Sequence, residues 1–168
     1  MIAIVPLADI EPCAVDALLD RAFGADRHAR TAYKVRGAAT AIAGSSFAAL
    51  DDGMLVGTIQ CWPVALVTDG GGAVPLVMVG PVAVAPERQR DGIGRALMEH
   101  ALAAEDDAAT GLMLIGDPEY YGRFFGFTAE RTARWRLPGP VERHRLLARG
   151  PMVPDAAGAL GPVLAIPA

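Results

Sequence analysis

A chain of 168 residues with 52% apolar side chains suits a single core, so the expected organisation is one domain over residues 1–168. A net charge of −4 lacks the basic footprint of a nucleic-acid binder, and no nucleic-acid partner is expected. Cys13 and Cys61 form no Cys-x-x-Cys pair, and His28, His100 and His144 lack ligand spacing, so neither a disulfide framework nor a metal site is indicated.

Met1 leads directly into Ile2–Val5, which reads as a strand without the basic n-region of a signal peptide. No apolar run approaches a membrane span, so no membrane partner and a reduced cytoplasmic location are expected. Asp9 and Glu11-Pro12 open a helix carrying Val15, Leu18, Leu19 and Phe23 at helical spacing, with a stop near Gly24. A second helix is predicted over Arg27 to Val35, ending before Gly37. Phe47–Leu50, Asp51-Asp52-Gly53 and Met54–Trp62 read as strand, tight turn and strand, because Asp-Gly between apolar runs signals a hairpin. Thr68–Gly72 is another turn, and the apolar run Leu76–Val84 predicts a buried central strand.

The helix predicted after Gly92 places Ile93, Leu97 and Leu102 on one side and ends at Glu105-Asp106-Asp107. Leu112–Ile115 reads as a further buried strand, and Asp117-Pro118-Glu119 opens a short helix with Pro in its first turn. Trp135–Leu137, Leu146–Ala148 and Val163–Ala165 are later strand candidates. From Arg131 to Arg149 there are six Arg and one Glu, read as a solvated strand face or as a neighbour of an anionic cofactor. The order of elements makes a mixed α/β domain without internal repeats or linkers.

Chemistry concentrates between Val82 and Met98, where an apolar strand meets a Pro-bounded polar turn and two glycines open a helix. First-turn amides of a helix lack intrahelical acceptors, and the helix dipole adds positive charge there. Such a terminus holds phosphate, and glycine lets an anion reach the backbone. No Lys follows either glycine (Lys34 is the only one in the chain), which removes a Walker A loop. A dinucleotide fingerprint needs Gly or Ala where Leu97 stands, and the polar turn Pro86–Asp91 separates strand from glycines. Gln89-Arg90-Asp91-Gly92-Ile93-Gly94 instead resembles the Gln/Arg-x-x-Gly-x-Gly/Ala signature of the GCN5-related N-acetyltransferases. The competing reading is an ordinary strand–loop–helix turn shaped by its glycines.

The resemblance extends to the short helix and Gly-Phe ending at Asp117–Phe127, with Tyr120 and Tyr121, and covers about residues 47–147. Gly80–Pro86 and Leu137–Pro140 make it most similar to the YhbS-type subgroup. It implies an acyl-CoA N-acyltransferase fold, a mixed α/β sheet that is splayed at its centre and flanked by helices. It further implies acetyl-CoA as co-substrate, with the pyrophosphate on Gln89, Arg90, Asp91, Gly92, Ile93, Gly94 and Arg95. The pantetheine arm is then expected along Val82, Ala83 and Val84, where a backbone amide polarises the thioester carbonyl.

A Tyr hydroxyl, with an ordinary pKa of about 10, can protonate a departing thiolate. Tyr120 and Tyr121 lie where the resemblance expects that acid, and aromatic packing is the alternative for either. The family pattern has Tyr four residues before the Gly of Gly-Phe, whereas Tyr121 precedes Gly126 by five. Tyr121 is therefore the expected acid, with a helical bulge at Gly122 absorbing the extra residue. Asp117 is a candidate base but reads better as a helix cap, Glu87 as a solvated charge and Cys61 as a buried hydrophobe. The expected activity is acetyl transfer to an amine of a small molecule or protein, with a homodimer allowed for. The alternative is a non-catalytic acyl-CoA-binding sensor or regulatory module of the same fold.

Overall fold

The structure, a computed structural model, describes residues 1–163. The chain folds as two compact units, one of Met1–His28, Ala41–Cys61 and Val79–Glu105, the other of Ala29–Thr40, Trp62–Met78 and the chain from Asp106 onward.

In the first unit, β1 (Ile2–Pro6) pairs antiparallel with β2 (Phe47–Asp51), Ile2 opposite Asp51. β2 turns through Asp52 and Gly53 into β3 (Met54–Thr68). Both turn residues have positive φ, 48° and 82°, as a two-residue hairpin of the primed type requires. Helix α1 (Pro12–Phe23) starts with Pro in its first turn and stops at Gly24, whose φ of 97° a side chain would resist. Its residues Val15, Leu18 and Leu19 pack on Ala83 and Ala85, at the end of β4 (Ala73–Val84). Helix α3 (Ile93–Ala104) buries Ile93, Leu97, Met98 and Ala101. It lies so close to β3 that a Cβ on Gly57 would sit 2.8 Å from Ile93 Cγ2. A Cβ on Gly94 would instead touch Val82 and Val84 at 3.7 and 3.6 Å. Alternation along β4 thus turns the valines towards α3 and the alanines towards α1. Burial of each Val or Leu contributes about 1.5–3 kcal/mol.

In the second unit, Val64–Thr68 of β3 pairs antiparallel with β8 (Gly158–Pro162), which runs parallel to β6 (Trp135–Arg136). β5 (Gly111–Ile115) lies parallel to β4 and antiparallel to β7 (Leu146–Arg149). The ladder of β4 with β5 has three pairs, from Leu76↔Gly111 to Met78↔Met113, and Val82–Val84 lies past the last of them. Helix α2 (Thr31–Arg36) and helix α4 (Pro118–Phe125) complete this unit. All eight strands belong to one sheet, with path order β1-β2-β3-β4-β5-β7, β8 on β3 and β6 on β8. This mixed α/β class with a short parallel ladder at its centre is the one expected. No helix among the described residues is long and apolar enough to cross a membrane.

Four elements differ from the sequence reading. The helix expected over Arg27–Val35 is split into a 3₁₀ turn at Arg27–Ala29 and α2, because Arg30 is extended at φ −69°, ψ 149°. Arg27 is buried and draws its turn onto α1, bonding Asp20 at 3.0 Å and Asp16 at 3.4 Å. β3 does not end at Trp62 but continues through Pro63 to Thr68. Pro63 falls after the β2 ladder, which ends at Ile59, and before the β8 ladder, which starts at Val64, so neither of these two ladders needs its missing N–H. β4 likewise begins at Ala73, three residues before the predicted start at Leu76. The last strand is Gly158–Pro162 rather than Val163–Ala165; Val163 is outside it, and residues 164 and 165 lie outside the described residues. A Cβ at Gly158 would meet Val67 O at 2.5 Å, so the glycine that disguises this strand is what lets it approach β3.

Candidate active site

The first unit carries the loop at which an anion was expected. After Val84, Ala85 N–H bonds Val56 O at 2.9 Å, and Pro86–Arg88 forms one 3₁₀ turn. Gly92 then caps α3 in the left-handed region, φ 78° and ψ 10°, with no side-chain capping bond. The start of α3 is therefore left to an outside acceptor, as its dipole favours. Gly92 is exposed, and a Cβ there would meet nothing within 4 Å, so its demand is conformational. A left-handed φ at Gly92 is thus a second reason for glycine there, beside the backbone approach expected from the sequence. At Gly94 a Cβ would fit in ordinary contact with Val82 and Val84, and a larger side chain would cover the helix start.

A residue that sequence reasoning passed over organises this loop. Arg88 is half-buried, and its guanidinium bonds Asp91 at 2.5 Å and Asp51 at 2.8 Å. Asp51 in turn holds the Met1 ammonium at 3.0 Å. The Asp91 carboxylate, which would repel a phosphate, is thus neutralised by its neighbour three residues earlier. Asp51 is held below its ordinary pKa by the Arg88 bond, then by that of the terminal ammonium. The only signal in the sequence was an Arg and an Asp three apart, which is common on any polar turn. Gln89, Arg90 and Asp91 are exposed, Ile93 is buried beneath the helix, and Arg95 pairs with Glu99 at 3.2 Å. Val82, Ala83 and Val84 form the last turn-ward residues of β4, Ala83 fully buried.

Glu87 pairs with Arg21 at 2.7 Å on the exposed side of the loop, so it is a surface ion pair. Cys61 is buried, its amide bonded to Ser46 Oγ at 3.0 Å, and burial pushes its thiol up to about 12. That thiol stays protonated at neutral pH, as a core residue would.

The second unit carries both tyrosines on α4. Asp117 caps this helix, its Oδ1 accepting from Glu119 N–H at 3.0 Å, which commits the carboxylate that was a candidate base. Pro118–Phe125 is unbroken α-helix, so the bulge expected at Gly122 is not there. The helix instead closes at its end, where Gly126 takes φ 72° and Phe127 N–H bonds Tyr121 O at 3.2 Å. The two rings meet edge-on with centroids 5.0 Å apart. Tyr120 packs further on Phe124 and Phe125 at 5.4 and 5.8 Å. Tyr121 lies on the backbone of Gly116, where a Cβ would come within 2.4 Å of its Cε2. Burial above all, then Tyr120 and Asp117, pushes the Tyr121 hydroxyl above its ordinary pKa, while Arg145 pulls it partly back.

The basic stretch from Arg131 to Arg149 holds the second unit together. Arg136 grips Asp69 at 2.7 and 3.0 Å, Arg134 pairs with Asp155, and Arg149 bonds both Asp107 at 2.8 Å and Phe125 O at 3.0 Å. Arg131 and Arg143 donate to the carbonyls of Val153 and Trp135. Arg131, Arg134, Arg136, Arg143 and Arg145 are exposed, as on a solvated face, while the partners named here are carboxylates and carbonyls of the same unit.

Comparison with known proteins agrees with this arrangement. A family model described as acetyltransferase (GNAT) domain matches residues 6–128. An uncharacterized N-acetyltransferase YhbS of Escherichia coli K12 is 29% identical over 142 residues, covering 82% of this chain and 83% of that protein. The crystal structure of E. coli YhbS in complex with CoA superposes with a TM-score of 0.70 at 23% identity, over 97% of this chain and 89% of that one. A GNAT family acetyltransferase from Brucella melitensis in complex with acetyl-CoA gives 0.55 at 26% identity, over 90% and 97%.

Proposed function

The chain belongs to the GNAT acetyltransferase family, and from that premise we propose that it transfers the acetyl group of acetyl-CoA to an amine, of a small molecule or a protein, through the residues described above. The observation that carries this is the loop from Val84 to Arg95: a strand end, a left-handed Gly92 and an uncapped helix start, with Asp91 neutralised by Arg88. Structural relatives bound to CoA and to acetyl-CoA support the choice of co-substrate.

In this reading the amides from Arg90 to Arg95 hold the pyrophosphate, and Gln89 flanks them at the loop's entry. A backbone N–H within Val82–Val84 polarises the thioester carbonyl, where hydrogen bonds strengthen as charge develops on oxygen. The acceptor amine attacks in its neutral form and gives up a proton as the amide forms. Tyr121 donates its hydroxyl proton to the departing thiolate, and its raised pKa keeps that proton in place until the thiolate forms. Tyr120, engaged with Phe124 and Phe125, packs the helix. The match over residues 6–128 takes in segments of both units, which supports a single catalytic domain. Two free thiols suit a cytoplasmic setting.

Calorimetry with acetyl-CoA, followed by an assay of free-thiol release over a panel of amines, tests the proposal. Binding that Gly94→Val abolishes, together with amine-dependent thiol release, is the expected result. A chain that binds neither CoA nor acetyl-CoA refutes it.

A further inference from the structure

Strand β3 carries two buried oxygens without a donor. Thr58 is fully buried, and its Oγ1 makes no hydrogen bond among the described residues. The same holds for Oε1 of Gln60, an atom buried although Gln60 as a whole is only partly covered. Buried polar atoms are nearly always satisfied, so this pair calls for a donor from outside the chain. A third such atom in the first unit, Ser45 Oγ, lies beside the Cys61 thiol, and Ser46 Oγ accepts from Cys61 N–H at 3.0 Å.

Strand alternation aims the two oxygens the same way. A Cβ on Gly57 would point at Ile93 and Leu97 of α3, so Thr58 and Gln60 point to the opposite face, where α1 packs on Ala83 and Ala85. Ala85 N–H bonds Val56 O at 2.9 Å, and a Cβ on Gly57 would come 3.2 Å from Ala83 O. Thr58 therefore lies across from Ala83 on the neighbouring strand. Ala83 is the middle residue of Val82–Val84, beside which the thioester carbonyl is proposed to sit. All of these residues belong to the first unit. The row runs from fully buried Thr58 to partly covered Gln60, so a ligand enters it from the Gln60 end.

Acetyl transfer needs the acceptor nitrogen beside that carbonyl in its neutral form. A neutral primary amine carries two N–H donors and one lone pair. Two uncharged oxygens match the two N–H groups and leave the lone pair free, whereas a carboxylate would favour the ammonium form. We infer that Thr58 Oγ1 and Gln60 Oε1 accept the two N–H groups of the acceptor amine and so set the direction of its lone pair. This rests on the acetyltransferase reading above. The lone pair forms the C–N bond as the C–S bond breaks; the nitrogen releases one proton to water, and the thiolate takes one up. A secondary amine offers a single N–H and leaves one oxygen orphaned, a mismatch that a hydrogen-bonding site rejects strongly.

The test pairs tyramine, phenethylamine and alanine amide each with its N-methyl derivative. Thiol release is measured with the unmodified chain, Thr58→Val, Thr58→Ser and Gln60→Met, with acetyl-CoA calorimetry and thermal melts of all four. The two apolar replacements remove an orphan oxygen at nearly constant shape, so Tm stays the same or rises, whereas loss of a bond made within the fold would lower it. The unmodified chain is expected to favour at least one primary amine over its N-methyl derivative by tenfold or more in kcat/KM. Thr58→Val and Gln60→Met each lower kcat/KM for that primary amine by tenfold or more and shrink the preference at least threefold, with acetyl-CoA affinity unchanged. Thr58→Ser, which keeps the hydroxyl, retains both the rate and the preference.

Variants that use the primary amine as well as the unmodified chain does overturn the inference, as does a loss shared equally by both members of each pair. A lowered Tm in Thr58→Val and Gln60→Met overturns it too, because the oxygens then serve the fold, as with a buried water. Weaker acetyl-CoA binding in either variant overturns it by assigning that oxygen to the co-substrate. If acetyl-CoA binds but no primary amine of the panel is used, the inference falls and the family reading stands. If acetyl-CoA does not bind at all, both fall.

Discussion

Gly116→Ala is the most direct probe of the proposed acid. Gly116 follows β5, with its N–H bonded to Arg145 O at 2.9 Å, so its backbone is held and cannot retreat. The new Cβ would sit 2.4 Å from Cε2 and 2.8 Å from Cδ2 of Tyr121, and 3.3 Å from Leu114 Cδ1. Carbon atoms pack at about 3.5–4.0 Å, so the ring must move by about 1 Å or more. Overpacking of this kind costs about 1–3 kcal/mol of stability. A misplacement of about 1 Å in a positioned catalytic group costs about 10²-fold in rate.

The expected result is a kcat about 10²-fold lower, with acetyl-CoA affinity unchanged by calorimetry. Tyr121→Phe alone should cost about 10²–10⁴-fold. Because Gly116 acts through the ring, Gly116→Ala placed on Tyr121→Phe should add little further loss; thermal melts of all four proteins account for stability. A Gly116→Ala enzyme with normal kcat would refute the need for this ring position. A full second loss in the double variant would show that Gly116 acts otherwise than through the Tyr121 hydroxyl.

The other expectations concern the loop, the titrating groups and the thiols. Gly92→Ala forces a side chain into φ 78° and should cost about 1–2 kcal/mol in a thermal melt, whereas Gly94→Ala should melt normally. Arg88→Gln releases both Asp91 and Asp51 and should raise the Kd for acetyl-CoA several-fold, an effect that calorimetry would miss only if the loop kept its shape without it. Since the Tyr121 pKa is raised above 10, the acid stays protonated and kcat should show no descending limb below pH 10; a limb near pH 8 would exclude it as the acid. The raised Cys61 pKa, about 12, means that the folded state holds this proton longer than the unfolded chain does. Its contribution to stability is complete below about pH 9 and falls by about 1.4 kcal/mol per pH unit above that, as denaturant melts across pH 8–11 would record. A thiol reagent at neutral pH should modify exposed Cys13 and leave buried Cys61 intact until the chain unfolds.

The parts of this molecule that could be read ahead of the structure are those in which one local rule dominates. Asp52-Gly53 dictates its hairpin because few other pairs take positive φ twice, and Pro12 with Gly24 marks both ends of α1. The strand–turn–helix form of the segment from Val82 to Met98 was legible for the same reason, since strand, Pro, two glycines and an apolar helix face fall in one short stretch. Where a distant partner decides, the reading stopped short. Arg27 looks like an ordinary first-turn residue until Asp16 and Asp20 of α1 claim it and break the helix. Gly158–Pro162 looks like a loop until the backbone of Val67 makes its glycine a condition for pairing.

The arginines illustrate the limit most clearly. Six basic residues within nineteen suggest an outward-facing field, yet Asp69, Asp107 and Asp155 lie 21 to 67 positions away from the side chains they meet, at separations that no local pattern encodes. An Arg whose charge is met by a carboxylate has its work inside the fold, as Arg136 does with Asp69.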